Sequence, residues 1–132
     1  MQRKIPRILI IDDDAAVRRS LSAYLEDEGF EVVAAGSSEE GLEVLSIKQV
    51  NVAVVDVRLP GIDGTEFILR SYKICPHTKF LICTGSVEYK PIEKLKSIGV
   101  DDKHIFRKPL NDLSVLSEAI KKLINEESIN GE

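Results

Sequence analysis

Five short apolar runs punctuate the chain, and each leads into a segment whose apolar residues recur at helical spacing. The runs are Arg7 to Ile11, Glu31 to Ala35, Val50 to Val55, Lys79 to Cys83 and His104 to Arg107. They are too short for buried helices and rich in β-branched residues, so they read as strands. The first, third and fourth do not alternate polar with apolar, which is the pattern of strands buried on both faces. Glu31 to Ala35 reads as an edge strand. Between the runs, Ala15 to Glu28 predicts a helix: Val17, Leu21, Tyr24 and Leu25 fall on one face, Asp14 is placed to cap it and Gly29 to stop it. Ser37-Ser38-Glu39-Glu40 opens a second helix with a capping pattern, its inner face supplied by Leu42 and Leu45. Thr65 to about Ile74 predicts a third, with Ile68, Leu69 and Tyr72 turned inward. Pro91 suits the first turn of a fourth, running to Ile98 after a loop at Ser86 to Lys90, with Gly99 as its stop. Asn111 or Asp112 caps a last helix to about Asn125, striped by Leu113, Leu116, Ile120 and Leu123. Residues 1–125 thus form one domain, and the polar residues 126–132 read as a frayed tail.

Strict alternation of strand and helix with short connections implies an α/β fold, a doubly wound five-stranded parallel sheet with helices on both faces. Right-handed crossovers narrow the topology. A flavodoxin-like order of 2-1-3-4-5 sets strands one and three side by side at the switch point, where such sheets hold their ligands.

Composition removes several function classes. The chain has 132 residues, 43% hydrophobic and 30% charged, an ordinary globular mixture large enough for a real core. A net charge of -4 argues against nucleic-acid binding, which needs a basic face. No stretch is apolar enough to span a membrane. The basic start, Met1 to Pro6, leads into a strand rather than a signal-peptide core, so the expected location is cytoplasmic. Cys75 and Cys83 have no metal or redox spacing and read as reduced fillers. His77 and His104 read as surface residues. With no tryptophan and few aromatics, a stacking platform for bases or sugars is not expected.

The polar residues at the strand ends carry the chemistry. Strand one ends in Asp12-Asp13, strand three in Asp56, strand four in Thr84 and strand five in Lys108. In the 2-1-3-4-5 order all converge on one rim. Two carboxylates about 4 Å apart repel by roughly 4 kcal/mol at an effective dielectric near 20, so the group calls for a cation. Hard oxygen donors with room for water suit Mg²⁺ better than zinc. A metal, a lysine and a hydroxyl around one carboxylate are the parts of a phosphoryl-transfer site. Asp56 is its natural nucleophile, since a carboxylate can form an acyl phosphate, and Lys108 is the counter-charge.

These motifs resemble the response-regulator receiver domain of bacterial two-component signalling. The match rests on Asp12-Asp13, on Asp56 with Pro60-Gly61 and Asp63-Gly64 downstream, on Thr84-Gly85 and on Lys108-Pro109, and it covers about Pro6 to Asn125. The resemblance implies that Asp56 accepts a phosphoryl group from a sensor histidine kinase or a histidine phosphotransfer domain. It implies that Asp13, Asp56 and the backbone carbonyl of Arg58 bind Mg²⁺ directly, with Asp12 acting mainly through water. Thr84 and Lys108 would contact the phosphoryl group and reshape the surface of helix four, strand five and helix five, through which a downstream protein or a second copy in a homodimer would be engaged. The chain would be an acceptor with slow autodephosphorylation, not a turnover enzyme. The same resemblance implies a cis peptide between Lys108 and Pro109.

Three positions depart from the family pattern. Ile105 stands where an aromatic switch residue is usual, and Phe106 points to the other face of its strand. The segment Gly99 to Ile105 is longer than the norm. Arg58 and Ser86 flank the expected phosphoryl group, and a long cationic Arg58 would shield it from water. Two alternatives stay open. One is a module that binds its partner without phosphate, for which Ile105 speaks. The other is a Mg²⁺-dependent phosphatase of the haloacid dehalogenase type, with Asp12 and Asp14 as its acidic pair; it fits the residues after Asp14 poorly and leaves Asp56 unexplained.

Overall fold

The computed structural model describes residues 5–130. The basic residues 1–4 and the last two residues of the expected tail lie outside that range. In chain order the elements are β1 (Arg7–Ile11), α1 (Ala15–Asp27), β2 (Glu31–Ala35), α2 (Ser38–Ile47), β3 (Val52–Val55), α3 (Gly64–Ile74), β4 (Lys79–Thr84), α4 (Glu93–Ser97), a 3₁₀ turn (Asp102–His104), β5 (Ile105–Arg107) and α5 (Leu113–Asn130). The sheet is five-stranded in the order β2-β1-β3-β4-β5, and every pairing is parallel. The doubly wound, flavodoxin-like architecture expected from the alternation is the one observed.

Strand alternation divides the core in two. Leu9, Ile11, Ala53, Val55, Phe80 and Ile82 face the layer of α2, α3 and α4, where they meet Leu45, Phe67, Ile68 and Leu95. Ile8, Ile10, Val52, Val54, Leu81 and Cys83 face α1 and α5, against Leu21, Leu25, Leu116 and Ile120. Neighbouring residues of one strand feed opposite layers, which is why these runs carry no polar positions. Ile105 and Phe106 follow the same rule, one packing on each face.

The capping readings hold. Asp14 accepts from the amides of Ala16 and Val17 at the start of α1, and Ser37 from that of Glu40 at the start of α2. Elsewhere the structure corrects the pattern. On α3 the buried stripe is Gly64, Phe67, Ile68 and Ser71, while Tyr72 is exposed; it lies at the margin of the stripe. Helix α4 spans only Glu93–Ser97, because Ile92 holds an extended backbone and offers no side-chain cap to the first turn. His104 is buried, not a surface residue: its Nδ1 accepts the amide of Asp101, whose carboxylate caps the 3₁₀ turn in return. That turn takes up the long connection into β5. Helix α5 runs to Asn130 rather than Asn125, since no glycine or proline interrupts it before Gly131. Among the described residues no helix is long and apolar enough to cross a membrane.

Candidate functional site

The site grows out of the register of β1 against β3. Ile11 pairs with Val55, and the amide of Asp56 donates to the carbonyl of Ile11 at 2.9 Å. Asp12 and Asp56 therefore leave their strands side by side, at the carboxyl edge of the two most buried strands. Both are themselves buried, 2% and 6% exposed. Asp13, one residue on, is exposed. Oxygens of Asp12, Asp13 and Asp56 all lie within 4.8 Å of one another. This donor set is all oxygen, with no imidazole or thiolate in it, and fits a hard divalent cation that keeps part of its water.

Lys108 reaches the pair from two strands away. Its amide continues the β4–β5 ladder by donating to the carbonyl of Thr84 at 2.8 Å, and its peptide to Pro109 is cis. Its Nζ donates to Asp12 Oδ2 at 2.6 Å and to Asp56 Oδ2 at 3.2 Å. Burial alone would push the ammonium down, but its bonds to Asp12 and Asp56 and their charges outweigh that and hold it above the ordinary lysine value. One cation thus bridges two carboxylates that would otherwise repel.

The remaining carboxylate oxygens are also directed. Asp12 Oδ1 accepts the amide of Asp14 at 2.9 Å, and Asp56 Oδ1 accepts that of Arg58 at 2.9 Å. The Arg58 side chain is exposed. Gly64 explains how α3 can start so close: a Cβ there would sit 2.3 Å from the carbonyl oxygen of Asp56. Thr84 is fully buried, and its Oγ1 accepts the amide of Ser86 at 3.1 Å. Asp14 is spent on its helix cap, which takes it out of the acidic cluster. The structure therefore brings Asp12, Asp13, Asp56 and Lys108 together, and holds Thr84 on the same rim.

Three residues with a part in this end of the molecule were missed from the sequence. Arg18 donates through Nη1 to the carbonyl of Asp12 at 2.7 Å. Arg107 donates to the carbonyls of Ser86 and Tyr89, at 2.7 and 2.8 Å, and so clasps the β4–α4 loop. The Tyr89 hydroxyl meets Thr65 Oγ1 at 3.1 Å, and its ring packs beside the core that also takes Ile105. The α1 face could have pointed to Arg18, one turn after Asp14; Tyr89 and Arg107 have no sequence signal, because a loop decides their targets. Cys83 is buried and its thiol pushed up to about 11 by that burial, so it is inert filler, as expected.

Comparison with known proteins agrees with this geometry. A family model described as the response regulator receiver domain matches residues 8–123. The transcriptional regulatory protein AruR of Pseudomonas aeruginosa is 34% identical over 127 residues, covering 91% of this chain and 50% of the relative, so the chain spans half of that regulator's length. Sporulation initiation phosphotransferase F of Bacillus subtilis is 27% identical over 118 residues, covering 89% of this chain and 93% of the relative. Among solved structures, a CheY-like receiver domain protein from Methanospirillum hungatei superposes with a TM-score of 0.84 at 32% identity, covering 96% of this chain and 99% of that one.

Proposed function

The chain belongs to the response regulator receiver family of signalling domains, and from that premise we propose that Asp56 is its phosphoacceptor. The observation that carries the reading is the Lys108 ammonium bridging Asp12 and Asp56 beside Asp13. In the reaction, an Asp56 oxygen attacks the phosphorus of a phosphohistidine on a sensor kinase or phosphotransfer partner. A P–O bond forms, the P–N bond breaks with its electron pair going to the ring nitrogen, and the ring leaves as neutral imidazole, keeping the proton its other nitrogen already carried. Mg²⁺ held by Asp13, Asp56 and the Arg58 carbonyl, with Asp12 through water, would neutralise charge on the transferring oxygens. Lys108 remains an ammonium at neutral pH and holds a phosphoryl oxygen as a point charge. Thr84 Oγ1, on moving to a second oxygen, gives up the amide of Ser86. The same Ser86 has its carbonyl in the Arg107 clasp, so the change passes into the β4–α4 loop and the α4–β5–α5 surface. A groove of about 480 Å³ beside Lys108, lined by Val17, Leu21, Pro109, Leu110 and Leu113, would receive an apolar face of the phosphodonor.

The test is intact mass after incubation with a small phosphoryl donor and Mg²⁺. Wild type gains one phosphoryl group and Asp56→Asn gains none; chelation beforehand prevents the gain. No adduct from any donor would favour a phosphate-independent binding module, and full biological function of Asp56→Asn would do the same. Arg58, exposed two residues after the acceptor, shields the acyl phosphate, and Arg58→Ala shortens its half-life. An unchanged half-life removes Arg58 from that role.

A further inference from the structure

Each polar atom of the Asp12 backbone and carboxylate has a partner, and one partner comes from outside the rim. The amide donates to Ala35, Oδ1 accepts from Asp14 and Oδ2 from Lys108. The carbonyl accepts from Arg18, a residue of α1 whose guanidinium reaches back across the start of its helix. On its way it passes beside Gly36, the residue after β2. A Cβ on Gly36 would lie 3.2 Å from Arg18 Nη1, tighter than such contacts usually are, and 3.5 Å from its Cζ, an ordinary contact. Gly36 is not among the glycines with positive φ, so its backbone does not itself require glycine. The missing side chain leaves the guanidinium its seat, and a methyl there would press on it by a few tenths of an ångström. Glu40 Oε1 lies 3.5 Å from the same point, on the border of the same space.

The contact matters because the peptide is planar. Fixing the direction of the Asp12 carbonyl fixes the plane that carries the amide of Asp13, and with it the start of the Asp13 side chain. Asp13 is the exposed member of the acidic cluster, so no surrounding core holds it in place. We propose that Arg18, seated beside Gly36, is a positioning residue for the Asp13 carboxylate, making the β2–α2 loop part of the cation site. Arg18 touches neither phosphate nor metal; it acts through the Asp12–Asp13 peptide. The inference rests on the reading that this cluster takes Mg²⁺.

Two substitutions attack the contact from opposite sides: Arg18→Ala removes the donor, and Gly36→Ala presses on its seat while leaving Arg18 in the chain. Mg²⁺ titration of the full chain by calorimetry should show Arg18→Ala weakening affinity by about tenfold and Gly36→Ala by less, since it only displaces the guanidinium. Arg18→Lys should recover part of the loss. The double variant should bind no more weakly than Arg18→Ala, because both act on the same contact. In metal-free protein the Asp13 amide resonance should shift in both variants, while the unfolding midpoint in chelator changes little for Gly36→Ala. Wild-type affinity in Arg18→Ala, or additive losses in the double variant, overturns the proposal. An unmoved Asp13 amide overturns it whatever the metal does. A wild type that ignores Mg²⁺ as fully as Asp13→Asn overturns the cation reading instead, and the inference falls with it.

Discussion

The two halves of the carboxyl rim are held in different ways. Over β1 and β3, buried carboxylates are tied through each of their oxygens to backbone amides or to Lys108, and Asp14 caps a helix of 13 residues. Over β4 and β5, the structure is held from outside. An exposed arginine clasps two loop carbonyls, a tyrosine hydroxyl meets a threonine, and the helix that follows has five residues and no side-chain cap. Preorganised groups favour chemistry, because they cost no reorganisation when charge moves. Segments meant to rearrange are drawn from the less stable end of a fold. The contrast sets carboxylates fixed through every oxygen over β1 and β3 against a β4–α4 loop held by a few exposed bonds, with Lys108 reaching from the end of β5 to tie the two sides together.

The largest effect should come from cutting the tie that Lys108 makes across the rim. Lys108→Ala leaves Asp12 and Asp56 buried without their shared cation, and should slow phosphorylation by about a hundredfold or more. The pair also has a pH signature. Lys108 is held above the ordinary lysine value in the folded protein, so its stabilisation is fully present below the unfolded value, near 10.4, and is lost as pH rises through the folded one. Denaturant midpoints on either side of that range should fall less in Lys108→Ala than in wild type. Equal falls would mean that the lysine does not secure this rim.

The second half should loosen separately. Arg107→Ala removes both clasping bonds at an exposed position, so the expected cost is about 0.5–1.5 kcal/mol. Hydrogen exchange should quicken through the β4–α4 loop and leave the amides of Asp14 and Arg58 unchanged. Loosening of both rims together would erase the distinction between them.

The smallest effect lies at the far end of β5. Burial pushes the His104 imidazole below its usual value, against the pull of Asp101, so the folded state holds it neutral. As pH falls below about 6.5 the unfolded chain takes up the proton first, and stability declines until the folded value is passed. Between pH 7.5 and 5.5 wild type should lose more stability than His104→Gln. Matching losses would show that the histidine is not what anchors the turn into β5.

Much of this was readable before any coordinates. That Asp12, Asp56 and Thr84 stand at strand ends was legible because each closes an apolar run, and a strand's end is visible as an abrupt change of character. Asp14 was legible as a cap because capping is local. Tyr72 and His104 were misread for one reason: a single polar or amphipathic side chain at the edge of a stripe does not say whether a neighbour covers it. The His104 imidazole is buried because Asp101 gives it an amide to accept, and no periodicity encodes that bond. The short α4 and the long α5 likewise turned on caps and breakers whose effect depends on the backbone around them.

The sequence by itself determined the strands, the layers and the order of charged residues along the rim, because burial on two faces demands continuous apolar runs and chain connectivity does the rest. Only the tertiary structure decided that Lys108 bridges Asp12 and Asp56, that Arg18 reaches the carbonyl of Asp12, and that Arg107 and Tyr89 hold the loop beside Ile105. Those contacts join residues from separate elements. Their geometry comes from how the elements pack, and no local pattern carries it.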